Sequence, residues 1–349
     1  MTPSFRGALL LACILPGAAG EAGAQALEAP TLHHAHLNST DPAAAAAWYQ
    51  RIWPEGRVGE VAGYPAFLAD MALLFTRVDA PPAGAWDPTL QRAEPQSAFW
   101  HIGGFLNTTD VFERLAAEGV TVLPLWIGPD DRDGVTRSGL TPYSGIRTAG
   151  QLDGEAEPPR EGGFGYLVGP DGALVELTGG PRTTPSFSHV HLFHEEPRCA
   201  ANWYVENLAM AFAPRRDPDT GAVVPGSPWP ECNGAERGDP GWPSLEHRGT
   251  IRAPSAGIRY GNGGISFYPR QCVGDRCGTD RPLVTSRGQV LDHVAFAVDG
   301  LDRWMAHLSA RGVRILEGPY AFGAGRAVLL HGPDGLAIEL VDEGPPPGE

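Results

Sequence analysis

The sequence predicts an α+β protein of two domains, built from four similar modules. The turn Gly-Pro-Asp-Gly occurs at 169–172 and again at 332–335. An apolar, strand-like segment follows each copy and carries a single carboxylate, Glu176 or Glu339. Four other short apolar segments each carry a histidine near their start, and a helix-like stretch follows each of them. These repeats predict a strand, a helix and further strands, four times over.

The four histidine-bearing segments open the four predicted modules. They lie at 32–37, 99–105, 187–193 and 291–296. Asp41 followed by Pro42 predicts the start of the first helix, because aspartate caps helix N-termini and proline suits the first helical position. Gly119 and Gly312 predict the ends of the second and fourth helices. The modules are therefore predicted at 31–78, 98–180, 186–269 and 289–343.

A Gly-, Pro- and Thr-rich stretch at 178–185 divides the four modules into two halves. Boundaries between domains commonly fall in such stretches. We therefore predict one domain at 25–180 and a second at 186–343, each made of two neighbouring modules. The longest insertions, at 126–163 and 213–257, are rich in Pro, Gly, Asp and Arg and are expected to be lids, specificity loops or decoration.

Residues 1–24 have the pattern of a secretory signal peptide. Arg6 supplies a positive charge, residues 8–15 form an apolar run, and residues 22–24 offer a small-residue cleavage site. The run is too short to span a bilayer. Residues 10–13 match a lipoprotein cleavage box only poorly, which leaves a lipid anchor as the minor alternative. We expect a periplasmic or secreted protein with no membrane association beyond export.

Four cysteines remain after the signal segment, all in the second half of the chain. They are Cys199, Cys232, Cys272 and Cys277. An even number of cysteines in an exported chain predicts two disulfides. Four cysteines allow three pairings, among which the sequence does not choose. Free thiols are the alternative, and a zinc site is disfavoured because the spacings are irregular.

The charge of the chain excludes several classes of partner and chemistry. The formal net charge is −15, which argues against nucleic acid or an anionic membrane surface as the main partner. No lysine occurs, so all 26 basic residues are arginine. Schiff-base chemistry and a Walker-type phosphate site, which both need lysine, are excluded. We expect a small-molecule substrate, and the sequence leaves the oligomeric state open.

The strand-opening histidines and the two repeated glutamates predict two metal sites. Side chains alternate between the two faces of a strand, so His34 shares a face with His36. If neighbouring modules close around a common cup, each half offers two imidazoles and one carboxylate. That donor set is typical of Fe(II) oxygenases and also suits Mn(II) or Zn(II). The predicted ligands are His34, His101 and Glu176 in the first half, and His189, His293 and Glu339 in the second.

These motifs resemble those of the vicinal oxygen chelate superfamily, which includes glyoxalase I, bleomycin- and fosfomycin-resistance proteins and type I extradiol dioxygenases. The resemblance rests on the strand-opening histidine and on the Gly-Pro-Asp-Gly-x-x-x-Glu ending, and it covers nearly all of the chain outside the insertions. It implies two domains of paired βαβββ modules, the glyoxalase/dioxygenase fold. It also implies a divalent metal, Fe²⁺, Mn²⁺ or Zn²⁺, held in a cup between paired modules.

The resemblance also indicates the kind of reaction. A glyoxalase-type site needs a further carboxylate at the ends of modules one and three, where this chain has none, so three-ligand relatives fit better. Tyr166 matches a tyrosine of the extradiol pattern, whereas Leu329 stands at the matching place in the second half. Candidate residues for proton transfer are Tyr166, His36, His191 and His194. We expect a dioxygenase-like enzyme; a glyoxalase-type lyase or isomerase and a non-catalytic periplasmic ligand-binding protein are the alternatives.

Overall fold

A computed structural model describes most of the chain. The described residues are 27–87, 92–107, 111–123, 163–179, 183–216, 220–229, 256–261, 263–269 and 283–343. The predicted signal segment lies outside these ranges, as do Cys232, Cys272 and Cys277. Cys199 lies within them and is disulfide-bonded. Because the other three cysteines lie outside the described residues, the pairing of the four cysteines stays a prediction. Among the described helices, none has the length and apolar character needed to cross a membrane.

The secondary structure follows the predicted order of strand, helix and further strands in every module. Module one contains β1 (Thr31–Ser39), α1 (Pro42–Ile52), β2 (Arg57–Val61), β3 (Tyr64–Leu68) and β4 (Ala72–Arg77), and β5 (Ala85–Asp87) and β6 (Arg92–Glu94) lie between modules one and two. Module two contains β7 (Phe99–Leu106), α2 (Val111–Ala117), β8 (Val122–Leu123), β9 (Gly163–Val168) and β10 (Leu174–Gly179). Module three contains β11 (Ser186–His194), α3 (Pro197–Leu208), β12 (Ala211–Phe212), β13 (Arg215–Arg216), β14 (Val223–Val224), β15 (Ala256–Tyr260) and β16 (Gly263–Pro269). Module four contains β17 (Leu291–Ala297), α4 (Leu301–Ala310), β18 (Ile315–Phe322), β19 (Gly325–His331) and β20 (Ala337–Asp342).

The predicted helix ends are confirmed. The carboxylate of Asp41 accepts a hydrogen bond from the backbone N–H of Ala44, at 3.3 Å, and Pro42 takes the first helical position of α1. This bond satisfies one of the N–H groups that a helix start leaves without an intrahelical partner. Gly312 follows α4 with φ +70°, a left-handed conformation that glycine adopts without steric cost.

Sixteen of the twenty described strands form two eight-stranded mixed sheets, and the pairs β5–β6 and β13–β14 form two small sheets of their own. The first runs in the order β18-β19-β20-β17-β1-β4-β3-β2, and the second in the order β12-β15-β16-β11-β7-β10-β9-β8. In the first sheet β1 and β17 pair antiparallel, which joins module one to module four. In the second sheet β7 and β11 pair antiparallel, which joins module two to module three.

The prediction that neighbouring modules pair within 25–180 and within 186–343 is therefore wrong. The Gly-, Pro- and Thr-rich stretch that suggested a domain boundary connects β10 to β11, and both strands belong to the second sheet. A composition rich in Gly, Pro and Thr does not distinguish a link between domains from a connection between two strands of one sheet. The α+β class with paired βαβββ modules in two sheet-rich units is confirmed.

One apolar core joins the two sheets. Phe187, from module three, is fully buried against three aromatic rings of module one. Its ring centroid lies 5.4 Å from Phe67, 5.7 Å from Trp53 and 6.4 Å from Tyr49. Aromatic contacts of this kind bury a large apolar area in defined edge-to-face geometry. The two sheets are thus parts of a single hydrophobic unit.

The repeated Pro-Asp-Gly turns also connect the sheets. Asp171, in the turn between β9 and β10 of the second sheet, accepts hydrogen bonds from Ser39 Oγ at 2.6 Å and from Thr40 Oγ1 at 2.7 Å. Ser39 ends β1 of the first sheet, and Thr40 follows it. Asp334 of the first sheet contacts His194 Nδ1 at 2.9 Å and accepts from the backbone N–H of Glu195 at 3.1 Å. We call these two reciprocal contacts the turn clasps. Both aspartates have positive φ, +54° and +53°, a conformation that aspartate tolerates better than most residues.

Replacing Gly103 on β7 by Ala should destabilise the second sheet. A Cβ atom at this position would lie 2.0 Å from the carbonyl oxygen of Glu176. Overpacking of this kind costs about 1–3 kcal/mol, which chemical unfolding would measure. The matched control is Ala295→Gly, because Ala295 opposes Glu339 in the first sheet as Gly103 opposes Glu176 in the second. The control should cost about 1 kcal/mol or less, and equal stability of Gly103→Ala and wild type would contradict the close approach.

Candidate metal centres

The strand register of the first sheet brings four predicted site residues to one place. His34 on β1 lies opposite Ala295 on β17, and Ala295 lies opposite Glu339 on β20. His36 lies directly opposite His293. The side chains of His34, His36, His293 and Glu339 therefore converge on one face of the sheet, and we call this group site one.

Two interatomic distances in site one suit ligands that share a divalent ion, and one ligand atom from each of His34, His36 and His293 lies within 4.8 Å of the others. Nε2 of His34 lies 3.3 Å from Oε2 of Glu339, and Nε2 of His293 lies 3.7 Å from the same oxygen. Ligand atoms held about 2.1 Å from an ion at tetrahedral angles lie about 3.4 Å apart. The three residues are at most 4% exposed, and among the described residues none of these three atoms has a hydrogen-bond partner in acceptable geometry. Buried polar atoms without partners are costly, and a cation bound between these three atoms would satisfy them.

Further side chains support site one. The hydroxyl of Tyr320 on β18 donates a hydrogen bond to Oε1 of Glu339, so only Oε2 remains available. His36 Nε2 lies 2.7 Å from Thr76 Oγ1, and the His36 ring stacks on His293 with centroids 4.6 Å apart. The rings of Tyr64 and Phe322 pack beside His36 and His34 and form an apolar wall. Sequence reasoning missed Tyr320.

The second sheet repeats this arrangement, and we call its group site two. His189 on β11 lies opposite Gly103, Gly103 lies opposite Glu176, and His191 lies opposite His101. Nε2 of His101 is 3.1 Å from Oε2 of Glu176, and Nε2 of His189 is 3.8 Å from Oε1. One ligand atom from each of His101, Glu176, His189 and His191 lies within 4.8 Å of the others.

The predicted ligands thus combine in a different way from the one expected. His34 meets His293 and Glu339, not His101 and Glu176, because module one pairs with module four. The predicted residue types assemble into two groups nonetheless, each with two opening histidines and one glutamate. Their role as metal ligands stays a prediction.

Tyr166 lies in site two. It opposes Glu176 on the neighbouring strand β9, is 1% exposed, and its ring lies 5.2 Å from that of His101. Burial, together with the negative charge of Glu176, raises the pKa of Tyr166 well above its usual value, so the phenol keeps its proton. Leu329 occupies the matching place opposite Glu339 in the first sheet. The two sites therefore differ at this position, as the sequence indicated.

Comparison with solved structures identifies the fold. Glyoxalase I from Zea mays superposes with a TM-score of 0.51 at 13% identity, over 90% of this chain and 92% of that one. A putative dioxygenase from Bacillus subtilis subsp. subtilis str. 168 superposes with a TM-score of 0.50 at 11% identity, over 93% of this chain and 87% of that one. This chain has the vicinal oxygen chelate fold. No sequence model of a family matches it, and no curated protein matches it by sequence.

Within the vicinal oxygen chelate fold, the strand register shows where a carboxylate would lie as the fourth ligand of each site. Glu339 lies two residues after Ala337, which is opposite His293. The equivalent place opposite β1 holds Leu74, and the one opposite β11 holds Ser266. Neither side chain is a carboxylate. His36 and His191 are the strand partners of these two positions, so an imidazole adjoins each place.

Burial lowers the pKa of several histidines of the two sites, whereas at His293 the carboxylates of Asp292 and Glu339 outweigh burial and raise the pKa to about 9. Desolvation, followed by repulsion from neighbouring imidazoles, lowers the pKa of His34 and of His191 well below the usual value. Burial lowers the pKa of His189 to about 4, although Glu176 opposes this shift. These imidazoles are neutral at pH 7, which is the form that binds metals. Burial also opposes ionisation of Glu176, but the imidazoles of His189 and His101 outweigh it and hold its pKa well below the usual range.

Tyr320→Phe should weaken metal binding at site one. The substitution removes the donor to Oε1 of Glu339 and leaves the carboxylate free to rotate, which would move Oε2 from the ligand position. Loss of a hydrogen bond to a metal ligand reduces affinity about tenfold or more. Isothermal titration of the metal-free protein with Zn²⁺ would measure this, and Tyr64→Phe is the control, because the Tyr64 ring packs in the same wall. Equal Zn²⁺ affinity in the two variants would contradict a role for the Tyr320 hydroxyl.

Proposed function

We propose that this protein is a metal-dependent enzyme acting on a small oxygen-bearing organic molecule. The observation that carries the proposal is the convergence of Nε2 of His34, Nε2 of His293 and Oε2 of Glu339, all buried and unpaired among the described residues. Two imidazoles and one carboxylate leave open coordination positions, a donor set that suits Fe²⁺ and also Mn²⁺ or Zn²⁺. The identity of the ion is part of the proposal.

The residues of site one support dioxygenase-like chemistry. A bound divalent ion would supply Lewis-acid polarisation of substrate oxygens or activation of O₂. Tyr320 holds Glu339 in place, and the rings of Tyr64 and Phe322 exclude water from the ligand atoms. His36 presents a buried Nδ1 that has no hydrogen-bond partner among the described residues. That nitrogen is placed to accept a proton from a substrate hydroxyl.

A metal-dependent lyase or isomerase is the second candidate. A proton acceptor such as His36 beside the ligand atoms serves proton abstraction next to a carbonyl as well as it serves deprotonation of a hydroxyl. His191, 3.0 Å from His189 Nε2, has the matching position in site two. His194, by contrast, lies in a turn clasp and is fully buried against Asp334.

Export is part of the proposal. Support comes from the signal-like pattern of residues 1–24 and from the disulfide-bonded Cys199. Two disulfides and a periplasmic or secreted location follow from it. The intact mass of the purified protein would be compared with that of the reduced chain starting near Gln25. A mass lower by four hydrogen atoms would support both parts of this proposal.

Metal analysis with a reaction screen tests the enzyme proposal. Purified protein loaded with Fe²⁺, Mn²⁺ or Zn²⁺ would be incubated with ortho-dihydroxy aromatic compounds and with α-hydroxy carbonyl compounds. Oxygen consumption with the first class supports a dioxygenase, and proton exchange observed by NMR with the second supports an isomerase or lyase. Ligand binding without turnover would indicate the non-catalytic alternative. A protein that holds no divalent metal, and that is unaffected by His34→Ala with His189→Ala, would exclude a metal-dependent enzyme.

A further inference from the structure

The two sites differ in whether the Nδ1 atoms of their opening histidines have hydrogen-bond partners. In site one, the Nδ1 atom of each opening histidine has a partner. Nδ1 of His293 lies 2.6 Å from Oδ1 of Asp292, and Nδ1 of His34 lies 2.8 Å from Nδ1 of His33. Because Nδ1 is engaged, Nε2 of each ring is the atom left to face Glu339.

Asp292 is itself fixed by a set of donors. It is 3% exposed and accepts hydrogen bonds from the backbone N–H of Gly288 at 2.6 Å and from Asn38 Nδ2 at 3.0 Å. The Arg287 guanidinium donates to the same carboxylate oxygen that contacts His293. A buried carboxylate held by three donors keeps one orientation, and it therefore keeps the His293 ring in one orientation too.

Site two lacks such support among the residues that the structure describes. Nδ1 of His101 and Nδ1 of His189 are buried there without a hydrogen-bond partner. The residue before His101 is Trp100, where site one has Asp292 before His293. Nε2 of His189 lies 3.0 Å from Nδ1 of His191, so an ion would have to compete with this contact.

We propose that site one is the tight metal centre of this chain, that site two binds metal more weakly, and that Asp292 is the positioning residue responsible for the difference. The inference rests on the proposed metal binding and goes beyond it by ranking two sites with the same ligand types. A carboxylate behind a ligating imidazole fixes its tautomer, fixes its orientation and raises its basicity. Site two must orient both rings at the moment of binding and therefore pays for that ordering.

Metal titration of the chelator-treated full chain tests the ranking. Zn²⁺ alone is titrated in competition with a chromophoric chelator, and wild type should bind two equivalents with unequal affinities. Glu339→Gln should remove the tight class, whereas Glu176→Gln should remove the weak one. Loss of the tight class in Glu176→Gln, or two equal classes in wild type, would overturn the ranking while leaving the proposed function intact. Failure of wild type to bind any metal would overturn both.

Asp292→Asn tests the positioning role. It should reduce the affinity of the tight class about 10- to 100-fold and leave the weak class unchanged, which also shows that the variant is folded. The visible bands of Co²⁺ bound at site one should shift, a change that a loss of stability alone would not produce. Asp302→Asn, an exposed carboxylate on α4 that pairs with Arg326, is the matched control and should change neither class.

A second variant covers the case in which Asp292→Asn fails to fold. Asp292→Glu keeps the buried charge beside Arg287 but moves the oxygens by one methylene, so it should also weaken the tight class, by less than Asp292→Asn does. Unchanged tight affinity in whichever of the two variants folds would overturn the role of Asp292. An equal loss at both sites would overturn it as well, because it would indicate a general structural effect.

Discussion

The double variant His34→Ala, His189→Ala should bind no divalent metal and should show no metal-dependent increase in melting temperature. Each substitution removes one of the two opening histidines of a site and leaves the other opening histidine and the glutamate, with His36 or His191 beside them. A ligand that binds only the folded state at a thousand times its Kd stabilises it by about 4.1 kcal/mol, and this gain should be lost. Reaction rates with metal-loaded protein should fall to background.

The control for this variant is His307→Ala with His331→Ala, two histidines outside both sites. It should keep the metal-dependent shift in melting temperature and the full metal content. Elemental analysis after dialysis and differential scanning calorimetry measure both quantities. Retention of two equivalents of metal by the variant that lacks His34 and His189 would exclude both sites as metal centres.

Separating the chain into halves at 180 should abolish both sites at once. Residues 25–180 contain β1 without β17 and β7 without β11, so each sheet loses half of its strands. His34 would lack His293 and Glu339, and His101 with Glu176 would lack His189. We expect neither half alone to unfold cooperatively or to bind Zn²⁺ at either site.

Co-expression of the two halves is the decisive comparison. The antiparallel pairs β1–β17 and β7–β11, with the core around Phe187, should bring the halves together and restore both sites. Circular dichroism melting curves and Zn²⁺ titration of each half and of the mixture measure this. A half at 25–180 that is monomeric, folds alone and binds Zn²⁺ would contradict the crossed pairing of modules.

The sequence predicted the four histidines and two glutamates that converge in the two sites, but not which of them meet. A histidine near the start of a strand and a glutamate in the last strand recur because each module repeats the same local structure, and a repeat is visible in one dimension. Alternation along a strand determines which face His34 occupies. It does not determine that β17, and not β7, lies beside β1, because that choice depends on which strand edges and apolar faces fit together.

The supporting residues were beyond sequence reasoning for a related physical reason. Asp292 and Tyr320 have no counterparts at the equivalent positions of the other modules, so no repeat marked them. Their roles arise from contacts between segments that are separated along the chain. Asn38 and Asp292 are 254 residues apart, and Tyr320 and Glu339 are 19 residues apart. Tyr166 was found because its place relative to the Pro-Asp-Gly turn is local and can be read along the chain.

The turn clasps have a mechanical consequence. Asp171 contacts the opposite sheet five residues before Glu176, and Asp334 does the same five residues before Glu339. Each turn leads into the strand that carries the glutamate, β10 or β20, so the strand acts as a short rigid lever between the clasp and the ligand position. A rotation of one sheet against the other would displace both carboxylates together. The distance between the two sheets and the geometry of the two sites are therefore coupled to each other through the two Gly-Pro-Asp-Gly turns.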